Sequence, residues 1–500
     1  MMKAEWERIT LPPPKLPNRQ IFVLMGFALL LGVLFDRLIV APSTNGALAL
    51  HWAAFWLVCG VLLCGLFWRN ALRRWQAWVV MGITVLLCVS NAMRSREAIS
   101  LINLPVIPLL LMLYTQLVVA EDSAEADPIV ALRVVRGFCM WPFMRLGDAG
   151  CALASVLGKA GKGRGRGILM GLAIAAPLLI VVCALLLQAD AVALHFAHSL
   201  LTGLPIGQIL LHVLCVVVVA ALFTSFLINA KQCDVQQNVA LPEQNLAPSM
   251  ISIVLASLIA VYALFCGVQF AYLFGSRGLP ADLTYSEYAR QGFGQLLAVA
   301  AINLGVFALT LRFARPHAVV RGLLFALLAC TGVLLASGLL RLKLYIGAYG
   351  LTWLRVFPYT FMVAMCVVLV LCAVRLLLLK LPLLRAVALV CLLWYTGLAL
   401  VNIEAVMVRW NVHNAPHTMT AWVRNDWPGD DQLDERKPYV FTLSSDAVPE
   451  LLAYCQTLPQ SAPEWMWLRE HLDDLCANGA WSLADRHAQA LLSEAFDVEL

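Results

Sequence analysis

Eleven stretches between residues 20 and 403, each 16 to 40 residues long, contain no Asp, Glu, Lys or Arg. They are Gln20–Phe35, Leu38–Trp68, Trp75–Met93, Ala98–Ala120, Ile168–Ala189, Ala191–Ala230, Gln244–Ser276, Gln291–Leu311, Gly322–Leu340, Val356–Val374 and Ala386–Ile403. A helix needs about 20 apolar residues to cross a hydrocarbon core about 30 Å thick. A single charge at its centre costs roughly 2.5–3.5 kcal/mol on the insertion scale. One transmembrane helix per stretch is therefore expected, and the lipid bilayer is the chain's first partner. The composition agrees: 61% of residues are apolar and 13% charged, against about 45–50% and about 25% in soluble domains. A soluble enzyme, a disordered chain, a coiled coil and a nucleic-acid-binding module are excluded. The expected fold is all-α, a polytopic membrane bundle of about 11 transmembrane helices with a small helical C-terminal extramembrane domain.

Two spans carry alternatives. Pro105 and Pro108 either kink the fourth span or break it into a re-entrant hairpin. Residues Ala191–Pro205 form either part of the sixth span or an interfacial helix before it. The N-terminal 20 residues are polar and contain Pro12, Pro13 and Pro14. The apolar run that follows reaches Asp36-Arg37 without a small-residue cleavage site, so the first helix is read as retained.

Charge sets the orientation. With the N-terminus in the cytoplasm, 21 Lys and Arg fall on cytoplasmic segments and 8 on the opposite loops, the bias expected of cytoplasmic loops. Residues 408–500 hold 15 acidic and 6 basic residues, while the preceding 407 hold 15 and 29. The division is then a cytoplasmic segment (1–19), helices 1–4 (20–120), a basic amphipathic cytoplasmic loop (121–167), helices 5–6 (168–247), helices 7–11 with outer loops (248–407), and an acidic extracytoplasmic tail (408–500). Within the basic loop, Gly158–Gly167 lacks the order of a phosphate-binding loop and no strand precedes it. It reads as a flexible segment meeting anionic lipid, each base adding about 1 kcal/mol. The helical pattern of Pro128–Leu157 suits the membrane surface.

Polar residues gather on the side assigned as outer. In Asp282–Gly292, Thr284 and Glu287 have capping-box spacing, and Glu287 and Arg290 can pair on one helix face. A short amphipathic helix accounts for all of them; the functional alternative places Glu287 and Arg290 in a polar site. In Arg341–Arg355, Gly347 and Gly350 permit a turn while Tyr345, Tyr349 and Trp353 suit an interfacial belt. Glu404 closes the last span and needs a partner; Arg341, Lys343, Arg355 and Arg409 are the candidates. Asp282, Glu287, Arg290, Arg341, Lys343, Arg355 and Glu404 thus form the candidate outer-face cluster.

Leu283-Thr-Tyr-Ser-Glu-Tyr-Ala-Arg290, Tyr345-Ile-Gly-Ala-Tyr-Gly-Leu-Thr352, Leu443-Ser-Ser-Asp-Ala-Val-Pro449 and Trp481-Ser-Leu-Ala-Asp-Arg486 together resemble a family of uncharacterised bacterial polytopic membrane proteins, known as a domain of unknown function. The resemblance runs from Pro248 to the C-terminus. It implies a bacterial inner-membrane location and no chemistry. Arg409-Trp410-Asn411 departs from the family, which has Tyr-Asn after the last span.

In the tail, Ser445 is expected to cap Asp446–Leu458 and Ser482 to cap Leu483–Phe496, with a third helix over Pro463–Ala477. Cys455 and Cys476 could pair if the tail is periplasmic. His413 with His417, and His195 with His198, are weak metal pairs beside the solvated alternative. No catalytic motif, cofactor motif or metal signature is present. Three functions stay open. The favoured one is a sensory, scaffolding or envelope-assembly protein binding partners through outer loops and tail. The others are a transporter or flippase, and an enzyme on lipid-linked substrates with Glu287 as base.

Overall fold

The computed structural model describes residues 16–40, 48–119, 127–148, 150, 206–231, 246–269, 293–378, 381–420, 438–478 and 482–498. These residues are helical, with turns and an isolated bridge between Leu246 and Ala314. Ten helices among them are long and apolar enough to cross a membrane, and they coincide with ten of the eleven expected spans. The remaining one, Ile168–Ala189, lies outside the described residues, as do Ala191–Pro205, His195 and His198, and the basic stretch Gly158–Gly167. The protein is an all-α, multi-pass integral membrane protein.

The chain divides into two compact units, Met1–Ala92 with Ser100–Gln237, and Met93–Ile99 with Asn238–Leu500. The first unit contains α1 (Asn18–Phe35), α2 (Leu48–Ala71), α3 (Trp75–Met93, to residue 92), α4 (Glu97–Val119, from Ser100), α5 (Asp127–Met144) and α6 (Ile206–Lys231). Helices α1 and α6 approach closely at Gly32, where a Cβ would lie 2.6 Å from the Val216 carbonyl oxygen. Small residues allow such contact between membrane helices. Beyond α1 the chain makes one π turn, Asp36–Val40, which brings the Asp36 carboxylate 2.6 Å from His212 Nδ1. Phe35, Phe55, Trp56 and Phe223 form an edge-on aromatic cluster in the same unit.

Helix α4 runs unbroken through Pro105 and Pro108, so the re-entrant hairpin does not form. Each proline removes one backbone hydrogen bond. Ile107, Leu110, Leu111 and Met112 are buried around and beyond the two prolines, and Asn103 adds a 2.5 Å hydrogen bond to Asn91 Oδ1. Helix α5 packs on α6 through polar groups: Ser225 and Asn229 donate to the Trp141 carbonyl, and Arg145 is buried beside Asn229.

The second unit holds α7 (Pro248–Gln269), α8 (Phe293–Phe313), α9 (Ala318–Tyr349), α10 (Trp353–Leu377) and α11 (Leu383–Leu400). Their core contains Leu255, Phe307, Leu324, Leu327, Leu335 and Met362, crossed by a hydrogen bond from Asn303 to Thr331. Helix α9 corrects the sequence reading. Its 32 residues would extend about 48 Å at 1.5 Å per residue, well beyond a hydrocarbon core of about 30 Å. Arg341 and Lys343 are therefore helical rather than in a loop. Gly347 continues the helix, and Gly350 alone makes the turn.

After α11 comes a helix not expected from the residue pattern, α12 (Ile403–Asn414), which Asn402 caps by accepting from the Ala405 N–H. A short α13 (His417–Thr420) follows, then 3-10 turns at Tyr439–Thr442 and Ser445–Ala447, and α14 (Val448–Cys455), α15 (Pro463–Asn478) and α16 (Leu483–Phe496). Ser482 caps α16 as expected, in a reciprocal box with Asp485. Ser445 does not cap; its hydroxyl turns to tertiary partners. Val356 of α10 and Leu398 of α11 share one apolar core with Met407, Val408, Phe441, Leu452, Leu472 and Leu492. The tail thus packs on itself and on the ends of membrane helices. Cys455 sits buried in that core, its thiol pushed up to about 12 by burial. Cys476 is exposed, next to Gln489, and both thiols are free.

Candidate functional site

Of the expected cluster, Asp282, Glu287 and Arg290 lie outside the described residues. Of the other four, Arg341 and Lys343 lie on α9, Arg355 on α10 and Glu404 on α12. Lys343 is exposed and Arg341 buried on α9. Arg355 closes the α9–α10 turn: Nη1 donates to the Tyr349 and Gly350 carbonyls at 2.5 and 2.7 Å, and the guanidinium lies 4.4 Å from the Tyr345 ring centre. That satisfies the terminal carbonyls of α9, which helix geometry leaves without partners. Arg409 pairs instead with Glu450 at 3.0 Å.

Glu404 is buried, and its donors are uncharged. Trp353 Nε1 donates to Oε1 at 2.9 Å; the Ser444 N–H and hydroxyl donate to Oε2 at 2.9 and 2.5 Å. The expected arginine partner is replaced by an indole and a serine. Charge counting cannot see either.

Beside Glu404 lies an ion-pair clasp that the sequence did not reveal. Arg94, Ser95 and Arg96 converge on Asp446. Arg94 Nη1 reaches Oδ1 at 3.1 Å, the Ser95 N–H reaches Oδ2 at 3.2 Å, and Arg96 Nε lies 3.4 Å from Oδ2. The arginines also donate to the C-terminal carbonyls of α11: Arg94 to Leu400 at 2.8 Å, Arg96 to Leu398 and Val401 at 3.1 and 2.6 Å. Cations at a helix C-terminus are favoured by its dipole. Burial lowers the Arg96 pKa, an effect opposed by Asp446 and Glu404. Its guanidinium lies 5.3 Å from the Trp353 ring centre. Asn402 Nδ2 completes the clasp by donating to the Asp446 carbonyl at 2.9 Å. One signal was available in the sequence: Arg94 and Arg96 were two of the eight bases against the charge bias, and a structural partner explains such exceptions.

The clasp borders a cavity of about 710 Å³ whose lining includes Arg96, Trp353, Glu404, Tyr439, Ser445, His471, Asp474 and Asp485. Burial pushes the Tyr439 phenol above its usual range and the nearby Glu404 carboxylate adds to this, against the Trp353 N–H that donates to its oxygen. Ser445 Oγ lies 3.1 Å from His471 Nε2, a spacing that resembles an activated nucleophile. Asp485 removes that reading. Burial pushes its carboxyl pKa up, but hydrogen bonds from the Ser95 and Ser445 hydroxyls and the Ser482 backbone outweigh burial, and the net shift is downward. An ionised carboxylate only accepts. Ser445 thus gives its one proton to Asp485, and its hydroxyl is engaged by both Asp485 and His471.

The same hydrogen bonds give the tail an acid-sensitive stability. The folded Asp485 pKa lies below the unfolded one, so its contribution is complete above the unfolded carboxylate range, about pH 4–5. It is lost as pH falls through the folded value. Thermal unfolding scanned from pH 7 to pH 3 is expected to be flat at first and then to fall. In Asp485→Asn the acid limb should be shallower; an unchanged limb would refute this assignment.

His413 Nδ1 lies 3.2 Å from the Arg409 carbonyl and His417 Nε2 3.0 Å from that of Ala348. Among the described residues no group of three or more His, Cys, Asp or Glu could hold a metal. Neither a curated protein nor a solved structure matches the chain. A family model does match: the one described as Domain of unknown function (DUF4153) covers residues 57–454, a segment that includes Arg94, Arg96, Glu404 and Asp446. With about four-fifths of its length inside that match, the chain belongs to the DUF4153 family.

Proposed function

We propose that this is a non-enzymatic protein of the bacterial inner membrane, sensory, scaffolding or envelope-assembly in role, which binds a partner through its tail and adjoining loops. The N-terminus is cytoplasmic and the tail periplasmic in this reading, supported by the Lys and Arg bias. One observation carries the non-enzymatic part. Ser445, Glu404 and Asp446, three of the groups that could act as nucleophile or base beside the cavity, are already engaged by intramolecular donors or acceptors. What remains is a surface held by these bonds and suited to binding.

The test is site-specific photocrosslinking from exposed tail positions such as Met466 and Leu483 in intact cells, with phosphatase fusions after Leu500 to fix the side. A discrete crosslinked species and an active fusion are expected. The cellular phenotype of Ser445→Ala should match wild type; loss of function at normal protein level would restore a nucleophilic role.

A second reading, proton-coupled transport, is favoured by the Asp36–His212 contact, because ionisable residues at membrane depth often mark ion pathways. It requires Asp36→Asn to abolish function at normal protein level.

A further inference from the structure

The cavity's lining includes Ala98 and Trp353, the first residues of two membrane-spanning helices, and its size is that of a small-molecule site, which typically encloses about 300–1,000 Å³. Its lining restricts what can enter. An anion would meet Glu404, Asp474 and Asp485, while the charge of Arg96 is already paired with Asp446 and its Nη1 and Nη2 donate to the α11 carbonyls. A bare cation at Glu404 or Asp485 would have to displace the donors already bound there, which leaves it the single carboxylate of Asp474. A neutral group with many hydroxyls meets neither obstacle. Its O–H groups can donate to the exposed Asp474 carboxylate and accept from the Tyr439 phenol, whose oxygen lone pair faces the Trp353 N–H. Its C–H faces can lie on Trp353 and Leu475.

We propose that this cavity binds a sugar, either as the headgroup of a glycolipid or as a free oligosaccharide. The proposal deepens the partner-binding reading by naming a ligand class for the same face.

The test uses the full-length protein in phosphatidylcholine nanodiscs. Diglucosyl diacylglycerol, maltose and phosphatidylglycerol are each titrated, with binding followed by native mass spectrometry and tryptophan fluorescence. Saturable binding of diglucosyl diacylglycerol or maltose is expected, and which of them binds identifies the source. Asp474 is exposed on α15, so Asp474→Ala should leave the unfolding temperature unchanged. It should weaken sugar binding about tenfold, the loss expected for one hydrogen bond to a charged acceptor. Asp474→Asn, which keeps an acceptor oxygen, should retain part of the affinity; a cationic ligand would lose as much as in Asp474→Ala. Binding of neither sugar probe, equal binding of phosphatidylglycerol, or full affinity in Asp474→Ala would overturn the proposal. None of these outcomes bears on the crosslinking result, so failure here is separable from failure of the partner reading.

Discussion

Replacing Asp446 with alanine is expected to destabilise the tail by about 3–5 kcal/mol, the cost of leaving buried charge without its partner. The side chain is 1% exposed, and that of Arg96 is 3% exposed, so water cannot take over as it does at a surface pair worth about 0–1 kcal/mol. The helix-terminal carbonyls still hold both arginines, which keeps the loss toward the lower end of the range. Asp446→Asn should fall between, because it keeps one acceptor oxygen but sets an amide donor against a guanidinium. Limited proteolysis of the full-length protein, read as cleavage within residues 438–498, and thermal unfolding followed by tryptophan fluorescence both report the effect. A loss below about 1 kcal/mol would mean that the pair behaves as a solvated one.

The second large effect is expected at Gly350. Its backbone has φ 76° and ψ 178°, a region essentially restricted to glycine, where another residue costs about 1–3 kcal/mol. A Cβ would also lie 2.8 Å from Asn411 Oδ1 and 3.0 Å from Thr418 Cγ2. Asn411 cannot retreat freely, because its amide clamps Leu351 through both backbone groups at 2.6 and 3.0 Å. Gly350→Ala should therefore cost about 3 kcal/mol or more, combining strain with loss of that clamp. Asn411→Ala loses the clamp alone and should cost about 1–3 kcal/mol. If thermal unfolding shows Gly350→Ala to be the milder change, the turn does not hold its left-handed backbone in solution.

Membrane spans were legible because each is a local property: enough apolar residues in a row, uninterrupted by charge. Helix α9 shows where that rule misleads. Arg341 ended the apolar stretch, but a charge ends a span without ending a helix, and nothing stops α9 until Gly350. Of the tail helices, the last was legible through its cap; Ser482 held its place because its partner Asp485 is three residues away, donating its N–H to the Ser482 hydroxyl and accepting from the Ser482 N–H. Ser445 left the expected cap for the opposite reason, as Asp485 and His471 offered it bonds from other helices. Arg94 and Arg96 were the least legible, since no periodicity connects residues more than 300 positions apart. Glu404 was recognised as needing partners, yet the search among charged residues passed over Trp353 and Ser444.

The clasp also sets an order on biosynthesis. Arg94 and Asp446 are separated by 352 positions. At about 5–20 residues per second, the arginine waits roughly 20–70 s for its carboxylate to be made. Through most of that interval the C-terminal carbonyls of α11, 306 positions from Arg94, do not yet exist either. The last eighth of the chain is thus what closes a loop inserted near the beginning. A ribosome that stops short of Asp446 would release a protein with its membrane helices complete and its two arginines held by the α11 carbonyls alone.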